Sequence, residues 1–148
     1  MKQVAIATWK GCVRLGEGTL STSSGVISKL IYAAGSNDGE TPCITPAEML
    51  AAAEAGCISL SCAREFELAH IHFHDVEVKA EVNIELEHRH PQIRDIHLDV
   101  TAHVYEDDTA KVERALQLAR ENCLITRHLN CKISLDAHIV TVEELVHA

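Results

Sequence analysis

One long stretch of the chain, residues 44–63, is almost free of charged side chains. It opens with Thr-Pro-Ala-Glu at 45–48, which places a capping threonine before a proline at the first helical position and a glutamate three residues after the cap. Glu54 is the only charged residue between 49 and 63. A helix that is apolar nearly all round belongs in the middle of a domain. The pattern therefore predicts a long buried central helix over residues 45 to about 69.

Two cysteines are candidates for chemistry, and both lie on predicted helices. Cys57 follows Gly56 in the apolar helix, and a glycine there lets another backbone come close. Cys123 lies at the end of a later helical segment. Each thiol has two interpretations, because free cysteine is among the most buried residue types and is also a redox-active nucleophile. Periodicity alone does not place the two within disulfide distance of each other.

The N-terminal part of the chain has short strand-like segments separated by glycines, which is typical of a small β-sheet. Residues 4–9, 12–15 and 18–23 are predicted to be short strands, with the glycines between and after them at turns. Residues 33–43 are rich in Gly, Asn, Asp, Ser and Pro, and this composition predicts a loop.

The second half of the chain alternates in hydrophobicity and then changes period. Residues 76–86 and 96–104 alternate apolar and polar side chains around a turn near 89–92, which predicts an antiparallel hairpin with one wet face. Asp108 or Thr109 then caps a second helix with one apolar stripe. The stripe consists of Val112, Ala115, Leu116, Ala119 and Cys123. A last strand points Ile133, Leu135, Ala137 and Ile139 inward. This order predicts an α+β fold with antiparallel sheets.

Charge and composition exclude several classes of function. The 148 residues fit a single domain, 1–148, and the net charge of −9 comes without any basic run. Nucleic acids and anionic membranes call for clustered Lys and Arg, so neither is expected as a partner. No apolar leader or membrane-spanning run is present in the sequence, and a cytoplasmic location is expected.

Four segments together resemble the OsmC/Ohr family, in order and with matching spacing along essentially the whole chain. They are Trp9-x-Gly11, the Gly18–Gly25 hairpin, the run Pro46-x-Glu48-Met49-Leu50-x-Ala52-Ala53-x-Ala55-Gly56-Cys57, and Ala119-x-x-x-Cys123-x-x-Thr126. In that family the second cysteine usually lies in C-P-[VI]-S, whereas this chain has Cys-Leu-Ile-Thr at 123–126.

The resemblance implies an OsmC-like, intertwined α+β homodimer whose central helices meet at the interface. It also implies a thiol peroxidase of oxidative-stress defence that reduces organic hydroperoxides without a cofactor. The matching positions make Cys57 the peroxidatic cysteine and Cys123 the resolving cysteine. The implied partners are a small apolar hydroperoxide and a dithiol reductant such as a lipoylated protein.

The chain departs from the family's pattern where an active thiol needs support. Well-equipped relatives place a glutamate directly after the helix-opening proline, where it orients an arginine over the nucleophile. Here Ala47 follows the proline, and the arginine position falls near Asn37. Glu48 and Arg14 are the supporting candidates, although Glu48 also suits a capping box. The alternative function is a catalytically weak redox-sensing or small-ligand-binding protein.

Ten histidines and four further cysteines have plainer interpretations. His72 with His74, and His88 with His90, form H-x-H pairs of the kind that hold zinc or nickel. No cysteine or carboxylate joins those pairs at ligand spacing, so no metal site is expected. The remaining cysteines form no C-x-x-C motif and are interpreted as structural; they are Cys12, Cys43, Cys62 and Cys131.

Overall fold

The computed structural model describes residues 1–33, 43–105 and 107–143 of the chain. It divides into two compact units, Met1–Met49 and Leu50–Ala148. The loop predicted over 33–43 falls almost entirely outside the described residues. Within the described ranges, no helix has the length and apolar character that crossing a membrane requires.

The first unit contains a three-stranded antiparallel sheet. Its strands are β1 (Ala5–Lys10), β2 (Glu17–Thr22) and β3 (Leu30–Tyr32), paired in that order. The centre of the sheet leaves no room at Gly18, where an added Cβ would lie 2.4 Å from ring atoms of Tyr32. Only glycine fits that position, which accounts for the first residue of the Gly18–Gly25 segment.

The strand predicted over 12–15 is wrong, because these residues form the turn between β1 and β2. Gly11 adopts a φ of 93°, a conformation that favours glycine and takes the chain out of the first strand. The amide of Gly16 then donates to the carbonyl oxygen of Cys12 at 2.7 Å and closes the turn. The short strand β3 was not predicted.

The second unit is built on a long hairpin, as the alternation predicts. Strands β4 (Phe73–Glu87) and β5 (His90–Val104) pair antiparallel around a two-residue turn, His88–Arg89. Both turn residues have positive φ, 49° and 68°, as the tight hairpin turns that match strand twist require. The inward side chains of β5 are completely buried; they are Ile96, Leu98, Val100, Ala102 and Val104.

The prediction of wholly antiparallel sheets is wrong for the last strand. Strand β6 (Lys132–Thr141) pairs parallel to β5, with Ile96 opposite Ile133 and Val104 opposite Thr141. The physical reason is helix α2 (Thr109–Asn122), which returns the chain to the N-terminal end of β5 before β6 begins. A strand that follows such a helical crossover runs parallel to its predecessor. The α+β class itself is confirmed.

Helix α1 (Pro46–Leu68) begins as predicted but is buried on one face only. The amide of Glu48 donates to Thr45 Oγ1 at 3.2 Å, which forms the expected cap. The fully or nearly buried side chains of the helix are Glu54, Ile58, Cys62, Glu65 and Phe66. On the opposite face Leu60 is 73% exposed, and Ala52, Ala53 and Gly56 are exposed as well. Within the single chain, the predicted burial of α1 is therefore confirmed for one face, and burial of the other face at a dimer interface stays a prediction.

Helix α2 is an ordinary amphipathic helix whose predicted stripe is confirmed. Its buried residues are Val112, Ala115, Leu116 and Ala119, and Cys123 continues them at 1% exposure. This stripe forms one hydrophobic core with the inner side chains of β5 and with Ile58, Cys62 and Phe66 of α1. The core therefore brings the two cysteine-bearing helices against the same sheet.

The cap of α2 provides a test of this fold. Asp108 accepts a hydrogen bond from the amide of Lys111 at 3.1 Å and satisfies one of the free amides of the first turn. We expect Asp108→Ala to lower the free energy of unfolding by about 1 kcal/mol. Urea denaturation measures this, and Asp107→Ala, which removes an exposed carboxylate outside the cap, is the control. Equal losses in both variants would contradict the assigned cap.

Candidate functional site

The two cysteines singled out in the sequence lie in contact. The Sγ atom of Cys123 is 3.0 Å from the Sγ atom of Cys57, and both thiols are free. Cys57 lies in the middle of α1 and is half-buried, whereas Cys123 caps the C-terminal end of α2 and is buried. A disulfide bond is about 2.05 Å long, so an approach of about 1 Å would join these sulfurs.

Polar side chains fasten α1 to the end of α2 next to the thiols. Ser61 donates from Oγ to the carbonyl oxygen of Ala119 at 2.7 Å. Asn122 donates from Nδ2 to Glu65 Oε1 at 3.0 Å. These bonds connect segments 57 to 58 residues apart in sequence, and they hold the end of α2 where Cys123 meets Cys57.

A buried carboxyl group lies one helical turn before Cys57. Glu54 has no exposed surface, and its Oε1 accepts a hydrogen bond from the hydroxyl of Thr126. Its Oε2 is buried without a hydrogen-bond partner in the described part of the chain. In the sequence, Glu54 is the single charge in an apolar run, and no role was predicted for it. The isolated charge could have identified Glu54 as a functional candidate, because a charge is retained in an apolar helix only where something offsets its burial.

The electrostatic surroundings of Cys57 act in opposite directions. Burial is the largest effect and raises the pKa of the Cys57 thiol above its ordinary value of 9.0, and the neighbouring Cys123 raises it further. Backbone hydrogen bonds from Ile125 and Leu124 lower the pKa of Cys57, because an amide that points at the sulfur stabilises the thiolate. No arginine or lysine among the described residues of Leu50–Ala148 contributes to this shift.

The other cysteines differ from Cys57 in chemistry. Burial raises the pKa of Cys62 to about 12, and the charge of Cys123 adds to this. Burial also raises the pKa of Cys131, with smaller contributions from the charges of Glu54 and Asp95. No group lowers the pKa of either thiol, so among the three shifted thiols only Cys57 has partners that favour the thiolate. Cys12 is exposed and Cys43 is half-buried.

The supporting residues predicted from the sequence lie in the first unit. Arg14 is exposed in the turn between β1 and β2, without an ion pair among the described residues. Glu48 is exposed in the first turn of α1, where its amide takes part in the cap. Ala47 is half-buried, and Asn37 lies outside the described residues. The roles of Arg14 and Glu48 remain predictions.

One histidine, His97, lies in a cluster with two aspartates and belongs to neither H-x-H pair. His97 Nε2 lies 3.5 Å from Asp99 Oδ1 and 3.3 Å from Asp136 Oδ2 on the wet face of the second sheet. These three side chains are the described group that could hold a metal ion, and no H-x-H pair belongs to it. The pairing of β6 with β5 brings Asp136 opposite Asp99, which the sequence alone did not show.

Comparisons with known proteins agree with this architecture. The sequence profile of the family described as OsmC-like protein matches residues 37–138. Peroxiredoxin OsmC of Escherichia coli (strain K12) is 26% identical over 130 residues, which cover 88% of this chain and 91% of the relative.

Two solved structures share the fold. An OsmC-like protein from Mycoplasma pneumoniae aligns with a TM-score of 0.78 at 12% identity, over 95% of this chain and 98% of its own. The organic hydroperoxide resistance protein OhrB of Bacillus subtilis aligns with a TM-score of 0.63 at 15% identity, over 92% and 97%. With the thiol pair, the α+β architecture and the profile match in agreement, the chain belongs to the OsmC family.

Proposed function

We propose that this protein is a thiol-dependent peroxidase that reduces organic hydroperoxides, with Cys57 as the peroxidatic cysteine and Cys123 as the resolving cysteine. The observation that carries the proposal is the 3.0 Å distance between the two sulfurs, across two helices of one core. Support also comes from relatives whose names are peroxiredoxin and organic hydroperoxide resistance protein.

The reaction proceeds in two steps. The Cys57 thiolate attacks the terminal oxygen of the hydroperoxide, the O–O bond breaks, and the alkoxide takes a proton and leaves as the alcohol. Cys57 is then a sulfenic acid, and attack by Cys123 forms the S–S bond while the hydroxyl group leaves with a proton as water. A dithiol such as a lipoylated protein reopens the disulfide by thiol exchange.

The cytoplasmic location of the protein remains a prediction.

A second candidate function is supported by the cost of burying the nucleophile. Burial raises the pKa of Cys57, and the described residues of its own unit provide no cation to offset it. A thiol that is mostly protonated at neutral pH reacts slowly. A catalytically weak, redox-sensing or small-ligand-binding protein with the same thiol pair fits that observation. In the peroxidase proposal, Arg14 remains the candidate cation and Glu48 its candidate partner.

We also propose that the protein is a homodimer that covers the exposed face of α1. In the described chain, nothing lies within 4 Å of a Cβ placed at Gly56, so no neighbour within the chain accounts for a glycine there. Glycine costs a helix about 1 kcal/mol relative to alanine, which favours an external reason for keeping it. Together with exposed Leu60, Ala52 and Ala53, it forms an apolar stripe of the kind that a second copy buries.

The thiol roles predict different losses in the two single variants. Cys57→Ser should abolish consumption of cumene hydroperoxide, because no other thiol shares its surroundings. Cys123→Ser should consume the first equivalent and then accumulate sulfinic acid, since no resolving thiol remains. Mass spectrometry after one and three equivalents measures both outcomes. Cys12→Ser, at an exposed thiol, is the control, and equal partial losses at positions 57 and 123 would indicate structural cysteines.

The backbone contribution to the Cys57 thiolate predicts an effect of proline at position 124. Leu124→Pro removes an amide hydrogen and should slow the alkylation of Cys57 at pH 8, because the thiolate loses one of the two backbone donors that lower the pKa of Cys57. Cys123 precedes it with φ −60° and ψ 126°, which suits a residue before proline. Because the pKa is raised, alkylation should still increase above pH 9 in the wild type.

Leu124→Ala is the matched control for this experiment, because it removes the same exposed side chain and keeps the amide. Peptide mapping after timed iodoacetamide labelling reports Cys57 separately from exposed Cys12. Identical rates in the proline and alanine variants would show that the amide of position 124 does not stabilise the thiolate.

The dimer predicts that a charge on the exposed face of α1 separates the copies. Leu60→Glu would place a carboxylate in an apolar interface without a partner, and it should shift the protein from dimer to monomer at low micromolar concentration. Sedimentation velocity measures this. Ala110→Glu adds the same charge at an exposed position of α2 and should leave the dimer intact. A stable wild-type monomer at the same concentration would contradict the proposal.

A further inference from the structure

Glu54 and Thr126 lie beside the thiol pair in a symmetrical way. Glu54 precedes Cys57 by three residues on α1, and Thr126 follows Cys123 by three residues in the short 3-10 helix Thr126–His128. The hydrogen bond from the Thr126 hydroxyl to Glu54 Oε1 therefore joins the same two segments that the sulfurs join. The two contacts are adjacent cross-links between α1 and the chain that leaves α2.

Local hydrogen bonds tie the chain from Cys123 to His128 into one turn. The amide of Arg127 donates to the carbonyl oxygen of Cys123 at 3.2 Å, and the amide of His128 donates to that of Ile125 at 2.9 Å. His128 Nδ1 also contacts the carbonyl oxygen of Leu124 at 2.7 Å. Fixing Thr126 against α1 therefore fixes Cys123 as well.

Burying Glu54 requires a reason, because the carboxyl group has no exposed surface and one of its oxygens has no described partner. Such a group lowers stability relative to an apolar side chain of similar size. An apolar residue would suit the core better, but it would accept no hydrogen bond from Thr126. A buried carboxyl group at position 54 lowers the stability of the fold, but it holds Thr126 in position by accepting its hydrogen bond.

We infer that Glu54 and Thr126 are a positioning pair that holds the resolving thiol of Cys123 against Cys57. The inference extends the proposed peroxidase and concerns its second step only. In that step the S–S bond forms, the S–O bond of the Cys57 sulfenic acid breaks, and the proton of Cys123 leaves with the hydroxyl group as water. The competing reaction is oxidation of the sulfenic acid by a second hydroperoxide, which gives sulfinic acid and another molecule of alcohol.

The first test is the fate of the sulfenic acid in Thr126→Val, which keeps the shape of the side chain and removes the hydroxyl donor. We expect the ratio of disulfide to sulfinic acid after excess cumene hydroperoxide to fall at least about tenfold, since a misplacement of about 1 Å costs up to about 100-fold in rate. The rate of the first oxidation of Cys57 should change by less than about twofold. Thr126→Ser, which restores the donor, should recover the wild-type ratio.

Asp108→Ala is the control for a merely structural effect, because it removes a hydrogen bond at the N-terminal end of α2, whereas Cys123 lies at the other end. It should lower the melting temperature without changing the product ratio. A double-mutant cycle with Glu54→Leu then tests the pairing, because Thr126→Val should have little further effect once the acceptor is gone. A wild-type product ratio in Thr126→Val, or independent effects of the two variants, would overturn the inference.

A second measurement separates this inference from the peroxidase proposal. The reduced protein is equilibrated with oxidised and reduced glutathione, and the Cys57–Cys123 disulfide is quantified against mixed disulfides by mass spectrometry. The effective concentration of the two thiols should fall about tenfold in Thr126→Val and recover in Thr126→Ser. This result would support the positioning pair even if the wild type consumed no hydroperoxide, whereas equal effective concentrations would overturn it.

Discussion

The contact between α1 and the end of α2 is the interaction on which the site depends. The backbone of α1 provides Glu54, Cys57, Ser61 and Glu65 at spacings of three and four residues, so their side chains share one side of the helix. Each of the four contacts a residue between 119 and 126. The sheet beneath supplies the apolar core, but this row of polar and sulfur contacts determines where the two helices meet. The contact between the two thiols is therefore one of the contacts that pack α1 against the end of α2.

That arrangement places two requirements of a reactive thiol in conflict. A sulfur between packed helices meets its partner sulfur easily, but burial disfavours the thiolate. The structure offsets part of this cost with amides from Ile125 and Leu124, which belong to the same turn that follows Cys123. Backbone amides add no charge to the site and remain in place when side chains move. One short turn therefore influences both the charge of Cys57 and the position of its partner.

Periodicity predicted the elements of this fold well and their mutual arrangement poorly. The stripe of α2 from Val112 to Cys123 and the alternation of β5 are local patterns, and both are confirmed by burial. The parallel pairing of β6 and the turn at 12–15 depend on the path of the chain, which periodicity does not contain. Glu54 and Thr126 are 72 residues apart, so their contact was invisible in the sequence, although an isolated charge in an apolar helix pointed to half of it.

The two faces of α1 differ in what covers their apolar residues. One face packs on the sheet, and the other exposes Ala52, Ala53, Gly56 and Leu60. Packing within the chain therefore explains the apolar residues of one face only. Cys57 lies at the border between these faces and is half-buried, whereas Cys123 is buried beneath it. In the proposed peroxidase, a hydroperoxide would therefore approach Cys57 from the exposed side of the helix. If a second copy covers that side, the same surface both completes the fold and forms the wall of the substrate's path.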